Sequence, residues 1–592
     1  MFEQDGPPEI PRPRRAQGQW GLGYMEPLTP QEQNKRNQDG LDVYDRIVNE
    51  YSVKGWDAID PADLSGRFRW YGLYTQRPEE DRRFMMRVRV TGGQLNSEQV
   101  MACADIAERY GKGVIDVTDR QNFQFHHIRI EDVPHIWATL AAVQLSTMEA
   151  CGDTPRTMLG CPTAGVDADE YIDASPYLRA VSARLTGTRE FSNLPRKYKV
   201  SITGCTHRCA ADEINDIGAV AHRVDGRIGF DVTVGGGLST TPFFARSLGA
   251  FVAPDELEEV CVGITEVFRD YGYRRARNHA RLKFLIMEWG IEKFREVLEK
   301  NYLKGRLEDG PPAPPTEASH RDHVGVHRQK DGLMYVGFAL VAGRSDAGQV
   351  RGVARLARKY GRGRVRTTTQ QKMLILDIPE PKVEALVGDL AAIGLDVRPS
   401  SFRRSTMACT GIEFCKLAVT ETKGYVPAII DHLEKRLPDF QDYVRINLNG
   451  CPNSCARFQL ADIGFMGSVA SIGGVPTEIF QVHLGGHLGA QNRFGRLAKG
   501  ARVRADRMPD FIEAMLRLYL ERRSPGQRFQ DFINELDDAA LQHFAREAMP
   551  AGALVEAGSS DAPVTHAVRA EGDMALPGGG YKDAADRKRP ER

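Results

Sequence analysis

Long apolar stretches are missing from this 592-residue chain: no run reaches the roughly 18 residues a helix needs to cross a membrane. The opening residues, MFEQDGPPEIPRPRRAQGQW, lack the apolar segment of a secretory signal, so the expected compartment is the cytoplasm. An excess of one charge is missing too. Lys plus Arg and Asp plus Glu both number 79, so no overall field points to nucleic acid or to a membrane, and anion chemistry must come from local clusters. Cysteine is scarce, ten residues in all, and clustered; in a reducing compartment that pattern favours metal or catalytic use over disulfides. A flavin or nicotinamide fingerprint is also missing, because VGGGLST, from Val234, lacks the strand, turn and helix context of a dinucleotide loop. The composition is otherwise that of a soluble protein with several domains.

What is present starts with two cysteine pairs. NGCPNSCAR carries Cys451 and Cys455, and ACTGIEFC carries Cys409 and Cys415. Four thiols in two close pairs match a four-thiolate site, either an iron-sulfur cluster or structural zinc.

The chain also repeats itself. RRFMMRVRV alternates as a strand, with Met86, Val88 and Val90 on one face and Arg87 and Arg89 on the other. A helix capped at Ser97, two strands near 114–118 and 122–130, and a helix near 133–145 follow, making a small α+β unit. The unit returns at a constant offset of 250, with Gln99, Tyr110, Gln121 and Leu145 answered by Gln349, Tyr360, Gln371 and Leu395. A second repeat, at 246, lays Cys205, Cys209, Asp216 and Gly218 over Cys451, Cys455, Asp462 and Gly464. The expected fold is therefore an internally duplicated α+β protein: two small ferredoxin-like units and two larger α/β units around a pseudo-twofold axis.

The copies differ in their chemistry. In the first half Cys205 and Cys209 match the last cysteine pair and Cys161 falls near the phase of Cys409, but nothing matches Cys415. Three thiols are one short of a closed cluster site, and they read as small buried hydrophobes without an assigned role. The first half instead carries cations: Arg87 stands where the second has Gly337, Arg120 where it has Gln370 and Lys197 where it has Tyr443, while Lys199 matches Arg445. Arg156 in GDTPRTM joins them. A structural zinc knuckle leaves this set unexplained, whereas a multiply charged anionic cofactor accounts for it.

NGCPNSCARFQLADIGFMG, ACTGIEFCK, FMMRVR, TDRQN and LPRKYK together resemble the ferredoxin-dependent sulfite and nitrite reductases, which couple sirohaem to a [4Fe-4S] cluster. The resemblance covers about residues 20–540. It implies that Cys409, Cys415, Cys451 and Cys455 hold the cluster, with Cys455 bridging to the sirohaem iron. Arg87, Arg156, Lys197 and Lys199 are then the catalytic cations over the haem. Arg120, Gln121, Asn122, the Gly235, Gly236 and Gly237 loop and the backbone at Asn449 contact haem carboxylates. The implied division is an N-terminal arm (1–65), a ferredoxin-like half-domain (66–148), a sirohaem domain (149–306), a Pro-rich linker (307–323), a second half-domain (324–398), a sirohaem and cluster domain (399–545) and a disordered tail (546–592).

The implied reaction is six-electron reduction of a small anion by a monomer that takes electrons from ferredoxin. In this family the nitrite enzymes tend to carry Asn at the position of Lys199, so Lys199 favours sulfite; nitrite reduction is the alternative, and a non-catalytic iron-sulfur carrier, needing no distal cations, is the third reading. Tyr74 and Cys151 fall in segments brought near the haem and form a candidate redox pair. His483 and His487, four apart but separated by glycines, read as structural or haem-adjacent.

Overall fold

The computed structural model describes residues 29–550 apart from 275 and 316–320. The start of the expected arm, the centre of the linker and nearly all of the expected tail lie outside the described residues.

The small α+β unit is built by Phe84–Val88, Ser97–Tyr110, Val114–Val117, Phe123–Ile128 and Val133–Ala142, as strand, helix, strand, strand, helix. Met334–Phe338, Ala347–Tyr360, Arg364–Thr367, Met373–Ile378 and Val383–Ala392 repeat it. Each first helix begins with a capping box, Asn96 with Gln99 in one copy and Asp346 with Gln349 in the other, so the cap is Asn96 rather than the expected Ser97. Phe84, Met86 and Val88 point inward and Arg87 outward, the alternation expected of a strand with one face on a core.

The two copies exchange edges. Gln94–Asn96 pairs with Arg364–Thr367 of the second copy, and Arg344–Asp346 pairs with Val114–Val117 of the first. Each of these two five-stranded sheets thus contains one strand from the other half, which covers its edge. The apolar faces of both units merge into one core that includes Phe84, Phe123, Phe125, Phe338 and Met373.

In each larger unit the first strands run parallel and the later ones antiparallel. Leu159–Gly160, Val200–Thr203 and Ile217–Val224 are parallel, followed by antiparallel Arg227–Val234 and Arg246–Val252. Thr406–Ala408, Ile446–Asn449 and Ile463–Ile472 repeat the parallel part, followed by Val475–Leu484 and Arg496–Arg504. The cysteines sit directly beyond the carboxyl ends of these parallel strands, Cys161 after Gly160 and Cys409 after Ala408, where open α/β sheets place ligands.

A glutamine joins small unit to large unit in each half. Gln121 and Gln371 both have left-handed backbone, with φ of 60°. Gln121 accepts from Gly160 N at 3.1 Å and donates to Thr367 O at 2.9 Å, and Gln371 accepts from Ala408 N at 3.2 Å and donates to Ala408 O at 2.9 Å. Each amide therefore holds the residue just before a cysteine. Among the described residues no helix is long and apolar enough to cross a membrane.

Both glutamines are buried, so Gln371→Ala would leave the Ala408 backbone groups without their partner. The expected loss is about 1–3 kcal/mol, seen as a lowered thermal midpoint. A midpoint equal to that of the parent protein would show that the amide does not hold the strand.

Candidate functional site

The four second-half thiols converge from two loops. Gly450 N donates to Cys409 Sγ at 3.2 Å, and Cys415 N donates to Gly411 O at 3.0 Å, which winds the first loop into a single turn. Asn449 Oδ1 accepts from Ala456 N at 2.7 Å and closes the second loop over Cys451 to Cys455. Between Cys409 and Cys415 the Phe414 ring stacks on His126 of the first half, with centroids 3.9 Å apart. Cys451 is buried while Cys455 is exposed, so Cys455 is the sulfur at the open edge of the group.

Burial first, and then the neighbouring Cys455, push the Cys409 thiol up to about 12, and the same causes raise Cys415 and Cys451. Thiols that oppose one another's ionisation in this way need a cationic centre to be held together as thiolates. A single zinc at 2.3 Å from each sulfur would set tetrahedral sulfurs about 3.8 Å apart. Among the described residues no three of these four sulfurs fall within 4.8 Å of one another. The four sulfurs are thus more loosely grouped than a single zinc holds its ligands.

The cations come from the first half. Arg87 donates to Cys151 Sγ at 3.0 Å and to Gln124 Oε1 at 2.9 Å, while its buried Nε has no partner. Burial opposes its charge, but Cys151, Tyr74 and Cys455 outweigh that and raise its pKa. Burial, then Arg196 and Arg281, lower Lys197 to about 8; burial, then Arg120 and Lys197, hold Lys199 well below the usual lysine range. No hydrogen bond or ion pair among the described residues ends on either ammonium. Arg156 donates to Gly152 O at 2.9 Å. Tyr74, raised to about 12 by burial and then Cys151, feels Arg156, Arg69 and Arg87 as well. Tyr74, Cys151, Arg87 and Arg156 therefore form one group, and a cavity of ≈ 560 Å³ opens beside Tyr74 and Arg156, lined also by Arg67, Arg69, Arg196 and Arg277. Cys409, Cys415, Cys451 and Cys455 do not line it.

The second half shows why these cations are available. Arg445 closes a bidentate pair with Asp462 at 2.8 and 3.2 Å. Its counterpart Lys199 gives only its backbone N–H to Asp216, whose carboxylate is taken by Arg281 at 2.8 and 3.1 Å. Likewise Tyr443 donates to Gln370 at 2.9 Å, where the first half places Lys197 and Arg120. Arg281 caps the helix Leu282–Asn301 as Arg528 caps Phe529–Glu535, but Arg528 bonds Asp531 rather than Asp462; no motif marks Arg281, and the sequence alone did not single it out. Lys283 donates to the Leu238 and Thr241 carbonyls and is lowered to about 7 by burial and then Arg281.

Other expected contacts are engaged within the chain. Arg120 donates to Thr157 O at 2.5 Å and Asn215 Oδ1 at 3.3 Å, leaving a buried Nε without a partner. Gln121 is a bridge between units, and Asn122 Oδ1 accepts from Val90 N at 3.0 Å. The amides of Gly235, Gly236 and Gly237 donate to Asp216 O, Asn215 O and Phe243 O. A Cβ on Gly236 would lie 2.6 Å from the Glu213 and Asn215 carbonyls, so close packing accounts for that glycine. Asn449 keeps a buried Nδ2 without a partner. His483 and His487 bond backbone carbonyls at 3.3 Å and belong to no group of three or more close ligand atoms among the described residues.

The unpartnered ammonium groups, the orphaned Arg87, Arg120 and Asn449 nitrogens and the spread thiols fit an anionic cofactor beside a cluster. The profile of the nitrite and sulphite reductase 4Fe-4S domain matches residues 151–307 and 400–550, and that of the nitrite/sulfite reductase ferredoxin-like half domain matches 77–143 and 327–393. The chain is 46% identical over 554 residues to a "Sulfite reductase [ferredoxin]" of Mycobacterium tuberculosis, covering 90% of this chain and 99% of that one. It is 35% identical to an "Assimilatory ferredoxin-dependent nitrite reductase" of Haloferax mediterranei, covering 86% and 93%. The structure of the M. tuberculosis NirA protein superposes with a TM-score of 0.85 at 45% identity, covering 89% of this chain and all of that one. With two matched pairs of domains and relatives aligned over most of its length, the chain belongs to the nitrite and sulfite reductase family with a 4Fe-4S domain.

Proposed function

We propose that the chain is a ferredoxin-dependent sulfite reductase that converts sulfite to sulfide at a sirohaem joined to a [4Fe-4S] cluster. The observation that carries this reading is that Arg87 of the first half donates to Gln124 at 2.9 Å and Gln124 donates to Thr410, next to Cys409 of the second, at 3.2 Å. Thiolates and cations from opposite halves meet in one neighbourhood. An iron-sulfur carrier needs no such cations.

Cys409, Cys415, Cys451 and Cys455 would hold the cluster, and Arg120 and Asn449, each with an orphaned nitrogen, would meet sirohaem carboxylates. When bound, sirohaem and cluster supply single electrons and an iron centre for the anion. The side chains supply the rest. Arg87, Arg156, Lys197 and Lys199 attract the anion and stabilise the charge that grows on its oxygens as they leave. Lys197, near 8, is an ammonium at neutral pH whose proton is held weakly, and it donates that proton to a departing oxygen; the amine then recovers one from solvent. Gln121, Asn122 and the glycine loop position these groups.

Two lysines suit sulfite, whose larger negative charge needs more compensation than nitrite's. The 46% identical relative is named a sulfite reductase, and the nitrite reductases stand at 35 and 38%. Ferredoxin is the proposed donor, consistent with the names of those relatives and with a glycine loop whose amides are held by its own chain.

Lys197 acts while protonated, so kcat is expected to fall as pH rises through about 8 or above, the bound anions raising the value in the working enzyme. Lys197→Arg removes this descending limb and Lys197→Ala lowers kcat by about 10²–10³-fold; an unchanged profile in both variants would remove Lys197 as the donor. Lys199→Asn is expected to lower the sulfite-to-nitrite ratio of kcat/KM. A ratio that stays the same would end the substrate assignment.

A further inference from the structure

The first half keeps the cysteines of a cluster site at the ends of the same strands. Cys161 follows Leu159–Gly160 as Cys409 follows Thr406–Ala408, and the loop after Val200–Thr203 holds Cys205 and Cys209 as the loop after Ile446–Asn449 holds Cys451 and Cys455. Even the turn survives: Asp167 N donates to Thr163 O as Cys415 N donates to Gly411 O, so Asp167 occupies the place of the fourth cluster thiol. Asp167 accepts from Thr163 Oγ1 at 2.7 Å and Arg321 at 2.6 Å, which turns it away from a ligand's role.

A histidine has entered from the other half. Cys161 Sγ, Cys209 Sγ and a ring nitrogen of His323 all lie within 4.8 Å of one another, and all three residues are buried. This is the separation that the four cluster thiols do not have, and it suits one tetrahedral ion, whose sulfur ligands stand about 3.8 Å apart. His323 Nδ1 lies 3.3 Å from Tyr335 Oη, while its buried Nε2 has no hydrogen-bond partner. Its backbone is left-handed at φ 62°, an uncommon conformation for a non-glycine residue. A Cβ on Gly337 would lie 1.8 Å from the His323 carbonyl, so the second half gives up the side chain that the first half has at Arg87 and lets His323 come in. Supporting bonds surround the group: Thr369 Oγ1 donates to Cys209 O at 2.7 Å, and Cys161 Sγ lies 3.2 Å from Thr163 Oγ1.

We propose that Cys161, Cys209 and His323 bind a zinc ion, with Cys205 as the fourth ligand. Cys205 is buried on the loop of Cys209, and its sulfur lies outside the 4.8 Å set, so as a fourth ligand it would have to move toward the ion. Two or three thiolates and an imidazole are a zinc donor set, and Tyr335 supplies the outer contact that orients a metal-bound imidazole. The ion would tie the start of the second half, where His323 ends the linker, to the first half's sheet.

The test is metal analysis of the full-length enzyme purified with zinc in the growth medium. One zinc per chain is expected in addition to iron, with two or three sulfurs at about 2.3 Å and one nitrogen at about 2.0–2.1 Å by X-ray absorption at the zinc edge. Cys161→Ser and Cys209→Ser should lose the zinc, and Tyr335→Phe, which keeps every ligand, should weaken zinc binding about 10–100-fold. Zinc well below one per chain in the unaltered protein, another metal in its place, or a peptide pair two hydrogens light that joins Cys161 to Cys209 would overturn the proposal. Iron content and sulfite turnover are separate readouts, so failure here is distinguishable from failure of the sulfite reductase reading.

Discussion

Cations that repel one another, half-buried side by side, are the constraint around which this protein is arranged. Lys197 and Lys199 are each lowered by burial and by neighbouring arginines or each other, and neither ammonium has a partner among the described residues. Such groups destabilise a fold unless a binding partner neutralises them. The chain takes them on because rigid elements force the geometry. Lys199 gives its N–H to Asp216, Asp216 is held by Arg281, and so the Lys199 side chain is denied the carboxylate that its counterpart Arg445 enjoys. An arginine that takes Asp216 here, where its counterpart Arg528 turns to Asp531, converts an ordinary ion pair into an anion-binding group.

That substitution illustrates how duplication divides chemistry. The second half neutralises itself at each place where the first half leaves a charge: Tyr443 bonds Gln370, Arg445 bonds Asp462, and Gly337 has no side chain because the His323 carbonyl is packed there. Conversely, the second half keeps Cys415 where the first has Asp167. The exchanged strands Gln94–Asn96 and Arg344–Asp346 keep the halves in one register. Phe414 on His126 and Arg457 on Asp119, at 2.9 Å to its carbonyl, pin the cluster loops directly to the first half.

The parts of this arrangement readable from sequence were those carried by repetition and residue type. A constant offset of 250 marks the two small units, because helix and strand lengths between them cannot change without moving the exchanged edges. Cysteine spacing marks the four thiols. Contacts over long separations were not readable. Nothing in TDRQN says that Gln121 bonds Thr367 rather than a cofactor, and nothing near Arg281 announces that it captures Asp216. Asn96 and Ser97 are both good caps, and only the backbone decides between them. In VGGGL the middle glycine, Gly236, is required by two carbonyls 2.6 Å from where its Cβ would be, a contact no local pattern announces.

The first-half cysteines show the same limit in its sharpest form. Counted along the chain they are a cluster site with a ligand missing, and small buried hydrophobes are then the economical interpretation. In space the deficiency is met by a residue that stands three places before Val326 as Trp70 stands before Leu73, outside the constant offsets of the repeats. His323 arrives because its neighbours retrace the path of Arg77: Arg77 N donates to Phe414 O on one side of the pseudo-axis, and Lys330 N donates to Val166 O on the other. The strand that follows the linker must pass the Cys161 loop just as the first half's strand passes the Cys409 loop. A histidine on that path has access to the old site, and once it is there the two sulfurs and the imidazole are too close together for a cluster and spaced for a single ion. A duplicated thiolate site can thus diverge into an electron-transfer centre on one side and a structural ion on the other, with the pseudo-twofold path of the chain deciding which residue is within reach.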